Sequence, residues 1–111
     1  MGERNHEITG YIAKYETAKK ERLETIRIMI HESITEIHEK MWTKVPCFYT
    51  NRMKIIIRVF DDHINLVADS VIQYKNELTG YVITPKGMLQ IFDNQELPKA
   101  TLKKIFCACE K

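Results

Sequence analysis

Apolar residues recur at steps of three and four along one stretch of the chain: Leu23, Ile26, Ile30, Ile34, Ile37 and Met41 form the seam of an amphipathic helix. Ser33 followed by Glu36 has capping-box spacing, so this helix either runs through or breaks near Ser33 and restarts as a short second piece. Upstream, Ile8 and Ile12 with Tyr11 or Tyr15 mark a short helix over residues 8–15, weakened by Gly10. After Lys40 the residues become β-branched and aromatic, and the pattern predicts strands over residues 41–49, 53–60 and 63–68. The connections at Thr50-Asn51-Arg52 and Asp61-Asp62 are too short for parallel crossovers, so the three strands form an antiparallel meander. Ser70 offers an N-cap to a helix over residues 71–78, which Gly80 ends. Residues 81–84 and 88–92 flank Pro85-Lys86-Gly87 as a hairpin, and Pro98 opens a last helix with Leu102, Ile105, Phe106 and Cys109 on one face. The expected fold is α+β: an antiparallel sheet of about five strands, a three-strand meander plus a hairpin, packed by N-terminal helices, a middle helix and a C-terminal helix.

Composition narrows the class. A chain of 111 residues, 44% hydrophobic and 29% charged, suits one globular domain over residues 1–111 with a single core. Seventeen basic against 15 acidic side chains leave a net charge of +2, too balanced to imply nucleic acid or an anionic membrane as an obligatory partner. Two local basic clusters exist, Lys99, Lys103 and Lys104, and Lys19, Lys20 and Arg22; the second is interleaved with Glu16, Glu21 and Glu24, so both read as solvated charge. Residues 1–7 carry no apolar leader, and His6 stands where a myristoylation motif wants Ser or Thr. The longest apolar run, residues 105–109, falls far short of the roughly 20 needed to span a bilayer. Three cysteines without framework spacing fit a reducing compartment, so a cytoplasmic protein is expected.

Candidate chemistry is sparse. On the second predicted strand Met53, Ile55, Ile57 and Val59 fill one side, while Lys54, Ile56, Arg58 and Phe60 alternate on the other. The first strand reads likewise, Met41, Val45 and Cys47 against Trp42, Pro46 and Phe48, so both sheet faces call for cover. Trp42, Phe48, Ile56 and Phe60, with His63 and Asn65 nearby, either line a surface for a small ligand or a second subunit, or pack as core beneath a terminal helix. Glu32, Glu36 and Glu39 stack on one helix face if the long helix continues, with His31 and His38 beside them. That makes a carboxylate stripe able to attract iron, on the solvent side of the apolar seam where charge ordinarily sits. The zincin pattern fails because Thr35 stands where a second His is required, and Cys107 and Cys109 diverge by about 200° on a helix. No Ser-His-Asp, Cys-His or glycine-rich phosphate loop can be assembled, so a non-enzymatic binding protein is expected.

The order of anchored residues resembles the YdhG-like family of small bacterial domains. Residues 8–15 resemble its Tyr-Ile-Ala helix; residues 23–30 resemble its Leu-x-x-Leu-Arg-x-x-Ile stretch, with Arg27 at the arginine. Glu39, Trp42, Pro46 and Phe48 match its Glu-x-x-aromatic-x-x-x-Pro-x-Phe pattern, and His63 opens the third strand as the family's histidine does. Lys86-Gly87 resembles the Lys-Gly turn before a strand ending at Phe92, which adds Lys86 to the candidate surface, and Leu97-Pro98 resembles the entry to the last helix. The resemblance implies an α+β fold and, for the best described members, a frataxin-like role as an intracellular iron chaperone. That role relies on a strongly acidic surface, whereas this chain is slightly basic. The alternative expectation is an interaction or homodimerisation module, a monomer or a dimer, that uses the aromatic sheet face.

Overall fold

A computed structural model describes residues 4–110 of the chain; the Met1-Gly2 pair weighed for lipidation lies outside them. Helix α1 spans His6–Ala13, capped by Asn5, whose Oδ1 accepts from the Glu7 and Ile8 amides at 2.8 and 3.1 Å. Helix α2, Thr17–Ser33, buries Leu23, Ile26 and Ile30 along the expected seam. It stops at Ser33: Ile34 is extended and Glu36 takes a positive φ of 56°, so the chain breaks there and no second helical piece follows. Ile34 and Ile37 are nevertheless buried, because the turn folds both beneath the sheet; the apolar spacing outlives the helix.

Six strands follow or intervene among the described residues: β1 His38–Trp42, β2 Val45–Tyr49, β3 Lys54–Val59, β4 His63–Val67, β5 Val82–Ile83 and β6 Leu89–Phe92. They form one antiparallel sheet in the order β1-β2-β3-β4-β6-β5. The stretch expected as a single first strand is instead a hairpin. Thr43 and Lys44 both adopt positive φ, 48° and 69°, the signature of a two-residue type I′ turn, here built without the usual Asn or Gly. Between β4 and β5 lies a 3₁₀ segment, Asp69–Glu77, rather than an α-helix. Its cap position is Ala68; Ser70 is buried and donates to the Ile105 carbonyl at 2.7 Å, tying the segment to the last helix, α3 (Lys99–Cys109). Gly80 takes the left-handed conformation expected of it, at φ 90°, and Gly87 in the β5–β6 turn does likewise at φ 84°.

All three helices lie against one face of the sheet. Phe48, Ile55, Ile57, Ile64, Leu66 and Ile91 meet Ile8, Leu23, Ile26, Leu102, Ile105 and Phe106 in a single core cluster. Among the described residues no helix is long and apolar enough to cross a membrane.

Candidate functional site

Residues directly paired across an antiparallel ladder share a face, so the register decides what the other side of the sheet displays. Trp42 pairs with Val45 across the tight turn, which inverts the parity between β1 and β2. A continuous strand would set Trp42 and Phe48 side by side. The hairpin instead sends Phe48 to the helix side, where it pairs with Ile55 and is buried, and puts Cys47 on the face that carries Trp42. Phe48 therefore leaves the candidate surface.

The open face reads in rows. Lys40, Cys47, Ile56 and Val67 run across four strands. One step toward the β2–β3 turn lie His38, Tyr49 and Lys54; one step the other way lie Arg58, Asn65, Gln90 and Val82. Among the described residues no strand position on this face is acidic. Lys54 Nζ sits 4.6 Å from the centre of the Trp42 ring, so this cation–π pair bridges the row that holds Cys47. Lys40 Nζ lies 4.6 Å from the Tyr49 ring. These long side chains cover apolar sheet with their stems while keeping their charges wet, which is how Cys47 and Ile56 are buried without a helix above them.

Around them opens a groove of about 380 Å³. Lys40, Arg52 and Lys54 supply its positive charge, Trp42 and Tyr49 its aromatic walls, Cys47 its floor, and Asp69 one carboxylate of the lining. Burial pushes the Cys47 thiol up from its ordinary pKa, with Lys40 and Lys54 pulling against that rise, so the floor is a neutral thiol in a cationic frame.

At the opposite end of β3 a second aromatic group forms. The His63 ring stacks on Phe60, centres 4.6 Å apart and planes 10° from parallel, and packs 4.9 Å from Phe92. Asp62 Oδ1 lies 2.7 Å from His63 Nδ1, and this hydrogen bond holds the Asp62 carboxyl below its usual range. Lys19, buried on α2, fixes the turn by donating to the Phe60 carbonyl at 2.8 Å and pairing with Asp93 at 3.0 Å. Between the two aromatic groups Asn65 is 8% exposed, its Nδ2 reaches only the Met88 sulfur at 3.9 Å, and among the described residues nothing bonds its Oδ1. Lys86 is exposed in the β5–β6 turn and does not line the groove.

A solved structure shares this architecture: a DUF1801-family protein, YdhG, from Bacillus subtilis superposes with a TM-score of 0.76 over 91% of this chain and 85% of that one, at 18% sequence identity. The two proteins have one fold. The likeness expected from the ordered motifs is thus present in three dimensions, at the level of architecture. No protein-family model and no curated protein matches the sequence.

YdhG-like architecture does not bring the proposed iron ligands together. Glu32 is exposed on α2, Glu36 is exposed in the turn after it, and Glu39 is buried on β1 facing the helices. Their expected alignment required a helix through residue 41, and the break at Ser33 removes it. Glu39 is already committed: Oε1 and Oε2 accept from Arg27 Nη2 and Nε at 2.6 and 2.9 Å, the Asn5 amide donates to it at 2.6 Å, and His31 Nε2 lies 2.6 Å away. Burial pushes its pKa up, but the hydrogen bonds from Arg27, Asn5 and His31 together outweigh this and hold it below the ordinary value. Among the described residues no group of three or more His, Cys, Asp or Glu is arranged to hold a metal ion.

Sequence reasoning found Trp42, Ile56, Phe60, His63 and Asn65 on one face and missed Lys40, Cys47, Tyr49 and Arg52. Lys54 and Arg58 were visible as the charged positions of an alternating strand. Lys40 and Tyr49 had no such signal until the hairpin placed them.

Proposed function

We propose that this protein is a non-enzymatic, cytoplasmic binding protein whose open sheet face receives an anionic ligand carrying a flat ring. One observation carries the reading: Lys40, Arg52 and Lys54 converge on a groove walled by Trp42 and Tyr49, of a volume ordinary for a small-molecule site. The cations offer charge-assisted hydrogen bonds to a carboxylate or phosphate, and the indole offers a stacking surface once Lys54 swings from ring to ligand. Dimerisation through this face is the weaker reading. A two-fold pairing would press Lys40, Lys54 and Arg58 against their own copies, and like charges set opposite one another are destabilising. A non-enzymatic role is supported by His63, whose ring is stacked on Phe60 and packed against Phe92. The free thiols Cys47, Cys107 and Cys109 suit a reducing compartment.

Trp42 is the single tryptophan of the chain, so its fluorescence reports this groove alone. Titration with a nucleoside monophosphate or an aromatic carboxylate is expected to quench it saturably, with inorganic phosphate a weaker competitor. Lys40→Ala and Lys54→Ala should each weaken binding about fivefold, the size of one screened charge contact. Quenching that never saturates, or that ignores both substitutions, would remove the groove as a binding site.

A further inference from the structure

We infer that the anion this face accepts is single-stranded nucleic acid, laid along β3 from the Trp42 groove to the Phe60–His63–Phe92 stack. The inference rests on the groove reading above and extends it to the rest of the sheet. Three independent features point the same way. The first is charge segregation: the chain as a whole is nearly balanced, yet this face presents Lys40, Lys54 and Arg58 with no acidic strand residue among those described. Carboxylates adjoin both ends of the face: Asp69 is part of the groove lining, while Asp61, Asp62 and Asp93 neighbour the Phe60–His63–Phe92 stack, where His63 engages Asp62 and Lys19 pairs with Asp93. Cations spaced along the sheet at Lys40, Lys54 and Arg58 match a repeating phosphate backbone better than one small anion.

The second feature is the pair of aromatic groups. Trp42 is 39% exposed at one end and Phe60 is 45% exposed at the other, the two exposed aromatic rings of a face on which Val82, at 48%, is also open to solvent. Lys54 to Phe60 spans about 20 Å of extended strand, which an extended single strand covers with about four nucleotides. Every base has a π face, so two separated platforms hold a strand without reading its sequence. A duplex hides those faces inside its own stack, which selects the single-stranded form.

The third is the polar row between them. Arg58, Asn65 and Gln90 lie side by side across three strands, and the buried Asn65 Oδ1 has no donor among the described residues. An unmet buried acceptor costs stability unless something external satisfies it, and a base N–H, the exocyclic amino group of adenine, cytosine or guanine or the N3–H of thymine, is a donor of the right kind.

The test is fluorescence anisotropy of a labelled oligothymidylate and a mixed-sequence single strand, each about 12 nucleotides, with the corresponding duplex as comparison. The single strands should bind at least about tenfold more tightly than a mononucleotide, and affinity should fall steeply between about 50 and 200 mM salt. Phe60→Ala and Trp42→Ala, both at exposed positions, should each weaken binding about tenfold. Lys40→Ala and Lys54→Ala should each lower the slope of log affinity against log salt by about 0.7. Oligonucleotides that bind no tighter than a mononucleotide, while the mononucleotide still quenches Trp42, would overturn the extended path and leave the groove standing. Silence of all probes would overturn both. Equal affinity for duplex, or binding indifferent to Phe60→Ala, would also defeat the assignment.

Discussion

Arg27 on α2 grips Glu39 on the outermost strand β1 with two hydrogen bonds, at 2.6 and 2.9 Å, and both side chains are almost completely withdrawn from solvent. The pair also holds α1, because Arg27 donates to the Asn5 carbonyl and Thr9 Oγ1 while Glu39 accepts from the Asn5 amide. Removing one partner strands the other charge in the interior. Arg27→Ala and Glu39→Ala should each cost about 3–5 kcal/mol in urea unfolding. The double variant should cost less than the two singles combined, because neither charge is then left alone. Hydrogen exchange should show α1 loosening first in either single variant.

Acid should weaken the protein through the same carboxylate. The folded pKa of Glu39 lies below its ordinary value, so its stabilising contribution is complete above about pH 4.3 and is lost as pH falls through the folded value. Urea midpoints measured from about pH 7 to about pH 3 should fall more steeply for the wild type than for Glu39→Gln, which has no carboxylate to protonate. A wild-type profile no steeper than that of the variant would contradict this.

The hairpin at Thr43 and Lys44 places a β-branched and a long side chain in left-handed backbone, where both are disfavoured. Replacing Thr43 by Asn and Lys44 by Gly should stabilise the fold by about 1 kcal/mol, read as a rise of about 4 °C in Tm. Neither residue lines the groove, so Trp42 quenching by a bound anion should be unchanged.

Thiol reactivity should sort the three cysteines by position. Cys107 is exposed and should react first with a disulfide reagent. Cys47 is 1% exposed with a raised pKa, and should react slowest in the native protein. Trp42→Ala removes the ring that Lys54 holds across the Cys47 row, so it should accelerate Cys47 and leave Cys107 untouched. Equal rates for Cys47 in the two proteins would mean that the indole does not shield it.

Local chemistry made much of the fold legible. The α1 stripe, the α2 seam, the meander from β2 to β4, the left-handed glycines at 80 and 87 and the last helix all follow from spacing and turn chemistry acting within a few residues. The failures have two origins. Ile34, Ile37 and Met41 kept helical spacing beyond Ser33 because the core demanded apolar residues there, whatever backbone carried them. The Thr43-Lys44 turn carries no Asn or Gly to announce it, so β1 and β2 read as one strand and Phe48 was assigned to the wrong face.

The sequence by itself determined the class of the fold, its single core and the stock of cations and aromatic rings, because hydrophobic period and charge are properties of neighbours along the chain. Only the tertiary structure decided that Glu39 is buried against Arg27 and not shared with Glu32 and Glu36, and that Lys40, Cys47, Tyr49 and Lys54 meet around Trp42. The first outcome turns on the helix break at Ser33 and the second on strand register. Side chains alternate faces with a period of two, so one unannounced two-residue turn reverses what every later position of its strand displays.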